Sequence, residues 1–169
     1  FGGIMSILGR DGNLSFIRVG TIAAIIGILL IVVGIVLFLV DRASRQVPLE
    51  IEVYPGASLW FEAPRSTQAR QVVYRAQGAT AEDVVAYYQR KLTEFSGGNI
   101  EACVRFPDNG NYEAYDRGDK TIVPYYYSCM FDRSGFQVSQ YTRVNIQPGI
   151  EANDSLGITI IEYEQYWQR

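Results

Sequence analysis

From Val19 to Val40 the chain reads VGTIAAIIGILLIVVGIVLFLV, 22 residues without a charge in which Thr21 is the one polar side chain. At about 1.5 Å per residue the run makes a helix of roughly 33 Å, enough for a hydrocarbon core of about 30 Å. A helix buried in a soluble domain carries a polar stripe, and this one has none. Arg18 and Asp41 mark its ends. The alternative, a cleaved secretion signal, has an apolar region of about 7–15 residues with a small-residue cleavage site behind it. This run is longer, and Ala43-Ser44 follows only after Asp41-Arg42, a poor cleavage context. The pattern predicts a transmembrane helix over residues 17–41. An interfacial or partner-contacting tail (1–16) precedes it, and a short linker (42–50) follows.

Past residue 50 the apolar positions fall into short periods. Tyr54-Pro55-Gly56-Ala57 is a turn signal, with proline presetting one turn position and glycine supplying the unusual geometry of the next. Leu59–Glu62 and Gln71–Arg75 read as strands around the polar loop Ala63–Ala69. Thr80 is an N-cap residue, and Asp83 three positions on gives a capping-box pattern for a helix from Ala81 to about Phe95. Val84, Val85, Tyr88, Leu92 and Phe95 share one face of that helix, and Ser96-Gly97-Gly98 stops it. Ile100–Phe106, Thr121–Phe131 and Phe136–Gln147 read as strands, the last after a tight turn at Asp132-Arg133-Ser134-Gly135. A final strand, Leu156–Tyr163, precedes an aromatic tail containing Tyr166 and Trp167. The order ββαββββ predicts an α+β domain over residues 51–169, one helix packed on a mostly antiparallel sheet.

The two cysteines sharpen this picture. If Ile100–Phe106 and Thr121–Phe131 form a hairpin, the midpoint between Cys103 and Cys129 is residue 116. Asp116-Arg117-Gly118 is the most turn-like stretch between them. That register sets the cysteines opposite each other and predicts a disulfide, which suits an oxidising compartment. The alternative is a pair of buried thiols in a reducing one.

Charge and composition narrow the chemistry. Residues 1–46 carry a net +2, which leaves −5 on the remainder of a chain whose total is −3. An acidic domain does not fit nucleic acid or electrostatic adhesion to anionic lipid. There is no histidine. This removes His-ligated haem, the usual zinc and copper sites, and Ser-His or Cys-His nucleophiles. No CxxC or iron–sulfur spacing exists, and Gly97-Gly98 closes a helix instead of opening one on a phosphate. The expectation is a chain with no catalytic residue, no metal site and no cofactor of its own. Glu82 with Asp83, or Glu162 with Glu164, could be cast as paired carboxylates. First-turn helix acids and one face of an edge strand explain them without catalysis. Tyr125-Tyr126-Tyr127 leaves three readings open: a sugar- or ligand-stacking surface, a protein interface, or two-faced strand packing.

Gly20, Gly27 and Gly34 recur every seven residues in the apolar run, with Ala24 beside them. Seven residues advance an ideal helix to about 20° short of two turns, so the four drift slowly along one smooth side. In lipid, small residues let backbones approach closely, so this stripe is the expected docking face for a partner helix.

The segment Val53-Tyr54-Pro55-Gly56-Ala57 and the helix Ala81-Glu82-Asp83-Val84-Val85-Ala86-Tyr87-Tyr88-Gln89-Arg90-Lys91-Leu92 resemble small membrane-anchored or lipoprotein domains of bacteria. The motif shared over about 40 residues is structural and transfers no catalytic residue. In size and layout the chain also resembles the single-span accessory subunit of an alternative complex III, a quinol-oxidising electron-transfer complex of filamentous phototrophs. That resemblance implies a non-catalytic subunit docked on larger integral membrane subunits, with redox groups held by other chains. The rival expectation is a free-standing anchored binding module. Both put the anchor in the cell membrane and the C-terminal domain on the extracytoplasmic side, since a short tail before an uncleaved anchor usually stays in the cytoplasm.

Overall fold

The computed structural model describes residues 16–64, 66–99, 101–110, 124–135, 137–149 and 157–168. The predicted tail (1–16), apart from Phe16, and the Asp116-Arg117-Gly118 turn lie outside them. Chain contacts divide the molecule into two units, residues 1–43 and 44–169.

The first unit is built on one continuous helix, α1 (Phe16–Ser44), three residues longer at its C-terminal end than the apolar pattern implies. It is long and apolar enough to cross a membrane. Thr21 satisfies its hydroxyl within the helix by donating to the Ile17 carbonyl at 2.9 Å, the usual way a lone hydroxyl is carried in an apolar helix.

The second unit is the α+β domain. Its elements are β1 (Ser58–Glu62), β2 (Ala69–Gln77), α2 (Ala81–Phe95), β3 (Val104–Phe106), β4 (Tyr126–Asp132), β5 (Gln140–Pro148) and β6 (Ile158–Trp167). They form one six-stranded sheet in the order β1-β2-β6-β5-β4-β3, and every pairing is antiparallel. The last strand therefore inserts between the first hairpin and the β3–β5 meander. It is a central strand, which corrects the reading of Glu162 and Glu164 as edge residues.

One face of the sheet is the core face. Registers align Val72, Tyr163, Val144 and Cys129 across four strands, and Tyr74, Ile161, Ile146 and Tyr127 in the next row. Val84, Tyr88 and Leu92 of α2 are buried there. Phe95 is half-exposed, although its ring meets Phe131 edge-to-face at 5.6 Å.

Helix α2 covers only part of this face. Residues 44–54 cover much of the rest, so of the predicted linker residues 42 and 43 belong to α1 and 44–50 to the domain. Leu49, Ile51 and Val53 pack on the core. Buried polar side chains hold the segment down: Gln140 Nε2 donates to the Val47 carbonyl at 2.8 Å, and Thr142 Oγ1 and Gln165 Nε2 donate to Leu49 O at 2.6 and 2.8 Å. Buried groups of this kind need partners, and an irregular segment's free carbonyls supply them.

Local signals at the helix ends hold. Asp83 N–H donates to Thr80 Oγ1 at 3.1 Å, and Thr80 N–H donates to Asp83 Oδ2 at 3.2 Å, a complete capping box. The Thr80 hydroxyl, followed by its backbone N–H, holds the Asp83 carboxyl below the usual aspartate range. Such a carboxylate contributes stability above its unfolded value, near pH 4, and loses it as pH falls through the depressed folded value. Thr80→Ala is expected to lower stability by about 1 kcal/mol at neutral pH. The deficit should shrink on acidification below about pH 4. Urea titrations at neutral and acid pH would read this, and an equal deficit at both would refute the coupling.

Several strand boundaries differ from the pattern, and β3 is only Val104–Phe106 where the pattern implies a strand over 100–106. The β4–β5 reversal closes at the Gly135–Val138 bridge, beyond the predicted Asp132–Gly135 turn, and Gln137 sits at φ 63°. A glutamine carries no sequence signal for that geometry. The predicted aromatic tail is strand: alternation in β6 continues through Trp167, which is buried.

Candidate functional site

Cys103 and Cys129 are joined by a disulfide. The β3–β4 register pairs Val104 with Ser128 and Phe106 with Tyr126, and continuing it one step back sets residue 103 opposite 129. The hairpin argument from the sequence thus finds its pairing. Cys129 is fully buried, and Gln89 Oε1 of α2 accepts the Cys103 N–H at 2.8 Å.

Gly20, Ala24, Gly27 and Gly34 all lie in α1. A Cβ built on any of the three glycines meets nothing within 4 Å. Among the described residues, then, nothing crowds the three glycines.

Two features of the domain surface went unmarked in the sequence. The first is the edge strand β1, where Leu59, Trp60 and Phe61 are 58, 51 and 51% exposed. A register shift between Leu59 and Phe61 bulges the strand, and a bulge lets successive side chains stay outside a core. Arg75 lays its guanidinium over the Trp60 ring at 3.7 Å. The signal was present as three consecutive large apolar residues in a five-residue strand, since a half-buried strand alternates.

The second is the sheet face opposite α2. Here Arg143 and Glu164 form an ion pair at 3.2 Å. Glu162 accepts from Gln71 Nε2 and, at 3.5 Å, from Asn145 Nδ2. Phe106 and Tyr126 stack at 5.8 Å between ring centroids, and Tyr141 and Tyr166 stack at 5.5 Å. A hollow of about 610 Å³ at the β3–β4 side is lined from Glu164 and Arg143 to Glu101 and to Leu92 of α2, one of about 380 Å³ lies beside Tyr141 and Tyr166, and Glu164 lines both.

The tyrosine triplet splits three ways. Tyr127 packs against the core and Tyr126 is exposed on the opposite face. Tyr125, ahead of the strand, donates its hydroxyl to Glu82 at 2.8 Å with the Arg105 guanidinium 4.0 Å above its ring. Burial, together with the neighbouring Glu82 carboxylate, pushes the Tyr125 phenol up. All four carboxylates weighed for catalysis are thus engaged: Glu82 by Tyr125, Asp83 by the cap, Glu162 by amides and Glu164 by Arg143. Among the described residues no group of three or more histidine, cysteine or acidic side chains is placed to hold a metal ion. No known protein family matches this chain, and neither a curated protein nor a solved structure shows significant similarity to it.

Proposed function

We propose that this chain is a non-catalytic accessory subunit of a larger bacterial membrane complex, anchored by α1 and bracing bigger integral membrane subunits with its extracytoplasmic domain. The observation that carries the reading is the β1 edge. Three neighbouring large apolar side chains, each more than half exposed, make a patch that a domain facing only water has no use for. Edge strands are ordinarily blunted by charge or proline, and Leu59-Trp60-Phe61 has neither. Trp and Phe are also the residues enriched where protein partners meet.

The helix adds support of a different kind. Its glycines stand on a side of small residues, and no described residue lies within 4 Å of a Cβ built on them, as suits a helix-docking face. The disulfide supports an extracytoplasmic domain. The likeness in layout to the single-span subunit of alternative complex III supports a parent assembly in respiratory or photosynthetic electron transport, with the redox groups on other chains.

The test is extraction in mild detergent followed by mass spectrometry of the co-purifying chains. Wild-type protein should bring larger integral membrane subunits with it. Trp60→Glu and Gly27→Leu should each reduce that recovery several-fold while leaving membrane insertion unchanged. Neither variant is expected to misfold, since Trp60 is exposed and a side chain at position 27 meets open space. A wild-type chain that elutes alone, or variants that assemble normally, would defeat the proposal. Protease added to intact spheroplasts should digest the domain, and protection would reverse the orientation.

A further inference from the structure

The sheet face opposite α2 has a composition that neither a buried core nor a water-facing surface calls for. On its three central strands the outward charges are Arg75, Arg143, Glu162 and Glu164, which balance. Arg143 is paired with Glu164, and Glu162 is held by amide donors. The centre of the face thus offers many hydrogen-bonding edges with its charges balanced, and β4 adds Asp132, whose carboxylate accepts the Ser134 N–H at 2.7 Å. It carries no surplus of positive charge to select phosphate.

Aromatic rings frame the polar centre. The Phe106–Tyr126 pair stands at the β3–β4 side, with Phe106 46% and Tyr126 41% exposed. The Tyr141–Tyr166 pair stands toward the opposite end of β5 and β6. Continuing the β4–β5 register sets Tyr126 opposite Gln147, six residues along β5 from Tyr141. At about 3.4 Å per residue the two platforms lie roughly 20 Å apart along the strands, a span that a tetrasaccharide covers. One hollow lies beside each platform, and Glu164 lines both.

We propose that this face binds a neutral oligosaccharide. Pyranose rings would lie on Tyr126 and Tyr141 through their C–H faces, and ring hydroxyls would meet Arg143, Glu162 and Glu164 between the platforms. An aromatic ring supplies an apolar face with a negative quadrupole that favours polarised C–H groups, and tyrosine adds a polar tip. Paired acid, amide and guanidinium groups donate and accept hydrogen bonds without leaving a buried charge uncompensated. This inference goes beyond the subunit reading and uses different residues, so it holds for the chain alone or assembled.

The experiment is calorimetric titration of the full chain in lipid nanodiscs with chitotetraose and, separately, with maltotetraose. Saturable binding of either sugar is expected, and which one binds names the class of glycan. Tyr126→Ala and Tyr141→Ala should each weaken it by roughly tenfold or more. Tyr126→Phe, which keeps the stacking ring, should retain it. Trp60→Glu, on the β1 edge used for docking, should leave it unchanged. Absence of saturation with both sugars overturns the proposal, as does binding that Tyr126→Ala and Tyr141→Ala leave intact. A wild-type chain that binds sugar but brings no subunits with it would refute only the assembly.

Discussion

Tyr88→Ala is expected to lower the stability of the domain by about 3–5 kcal/mol, the range for losing a large buried aromatic ring. The ring is fully buried between α2 and the sheet, edge-to-face with Tyr87 at 5.1 Å and Tyr163 at 6.1 Å. Its hydroxyl belongs to a directed chain of hydrogen bonds. The Tyr54 N–H donates to Tyr88 Oη at 2.9 Å. Tyr88 must then give its own proton to Tyr163, 2.6 Å away, and Tyr163 donates to the Glu52 carbonyl at 3.2 Å. One helix residue and one central-strand residue thus secure the backbone of residues 52–54.

The milder change Tyr88→Phe keeps the ring and breaks the chain. It leaves a buried N–H and a buried hydroxyl short of a partner, at about 1–3 kcal/mol. The double variant with Tyr163→Phe should cost less than the sum of the two single changes, because the pair shares one bond. Burial, more than any neighbour, pushes both phenols up. The folded state then holds these protons while unfolded tyrosines lose theirs near pH 10, so stability is complete below that value and declines above it. Chemical denaturation followed by near-ultraviolet circular dichroism would read both effects. Additive single changes, or an alkaline limb unaltered in Tyr88→Phe and Tyr163→Phe, would show that the chain of bonds is not what holds the segment.

Local chemistry made much of this architecture legible. The apolar run, the Thr80–Asp83 cap, the Tyr54–Ala57 turn and the succession of elements along the chain all depend on neighbours a few residues apart, and these follow the pattern. The Ala57 N–H donates to Tyr54 O at 3.0 Å, and Gly56 takes φ 82°. Residues 42–50 were harder. Val47, Leu49, Ile51 and Val53 alternate, yet Pro48 and the two glutamates between them mask a segment that joins no ladder. Its partners are Gln140, Thr142 and Gln165, more than 90 residues away. The surface ladder of Arg143, Glu162 and Glu164 was illegible for a similar reason. Alternation marks these residues as outward-facing, but only strand order reveals that β6 sits between β2 and β5, which brings their charges into register. Along β1 the run Leu59-Trp60-Phe61 breaks alternation and so signals exposure, but the position of the bulge is set by pairing with β2.

The double change Cys103→Ala, Cys129→Ala should remove about 3–4 kcal/mol, the loop-entropy value for a bond closing a 26-residue separation. The loss should be uneven across the sheet. Strand β3 is three residues long and forms the edge, paired only with β4. Little besides the disulfide ties its start to the domain: Gln89 accepts the Cys103 N–H and donates to Glu101 O at 2.8 Å. Without the bond, amides of Val104–Phe106 should exchange much faster. Amides shared by β5 and β6 should keep their protection relative to global unfolding, since both strands are flanked on each side. Part of the cost in the double variant is the small void left at buried Cys129, so the wild-type chain measured with and without reductant isolates the covalent constraint. Reduced wild type should fall between the oxidised protein and the double variant. If reduction leaves the unfolding midpoint unmoved, the bond is not a constraint on this domain, and its support for an oxidising compartment is lost with it.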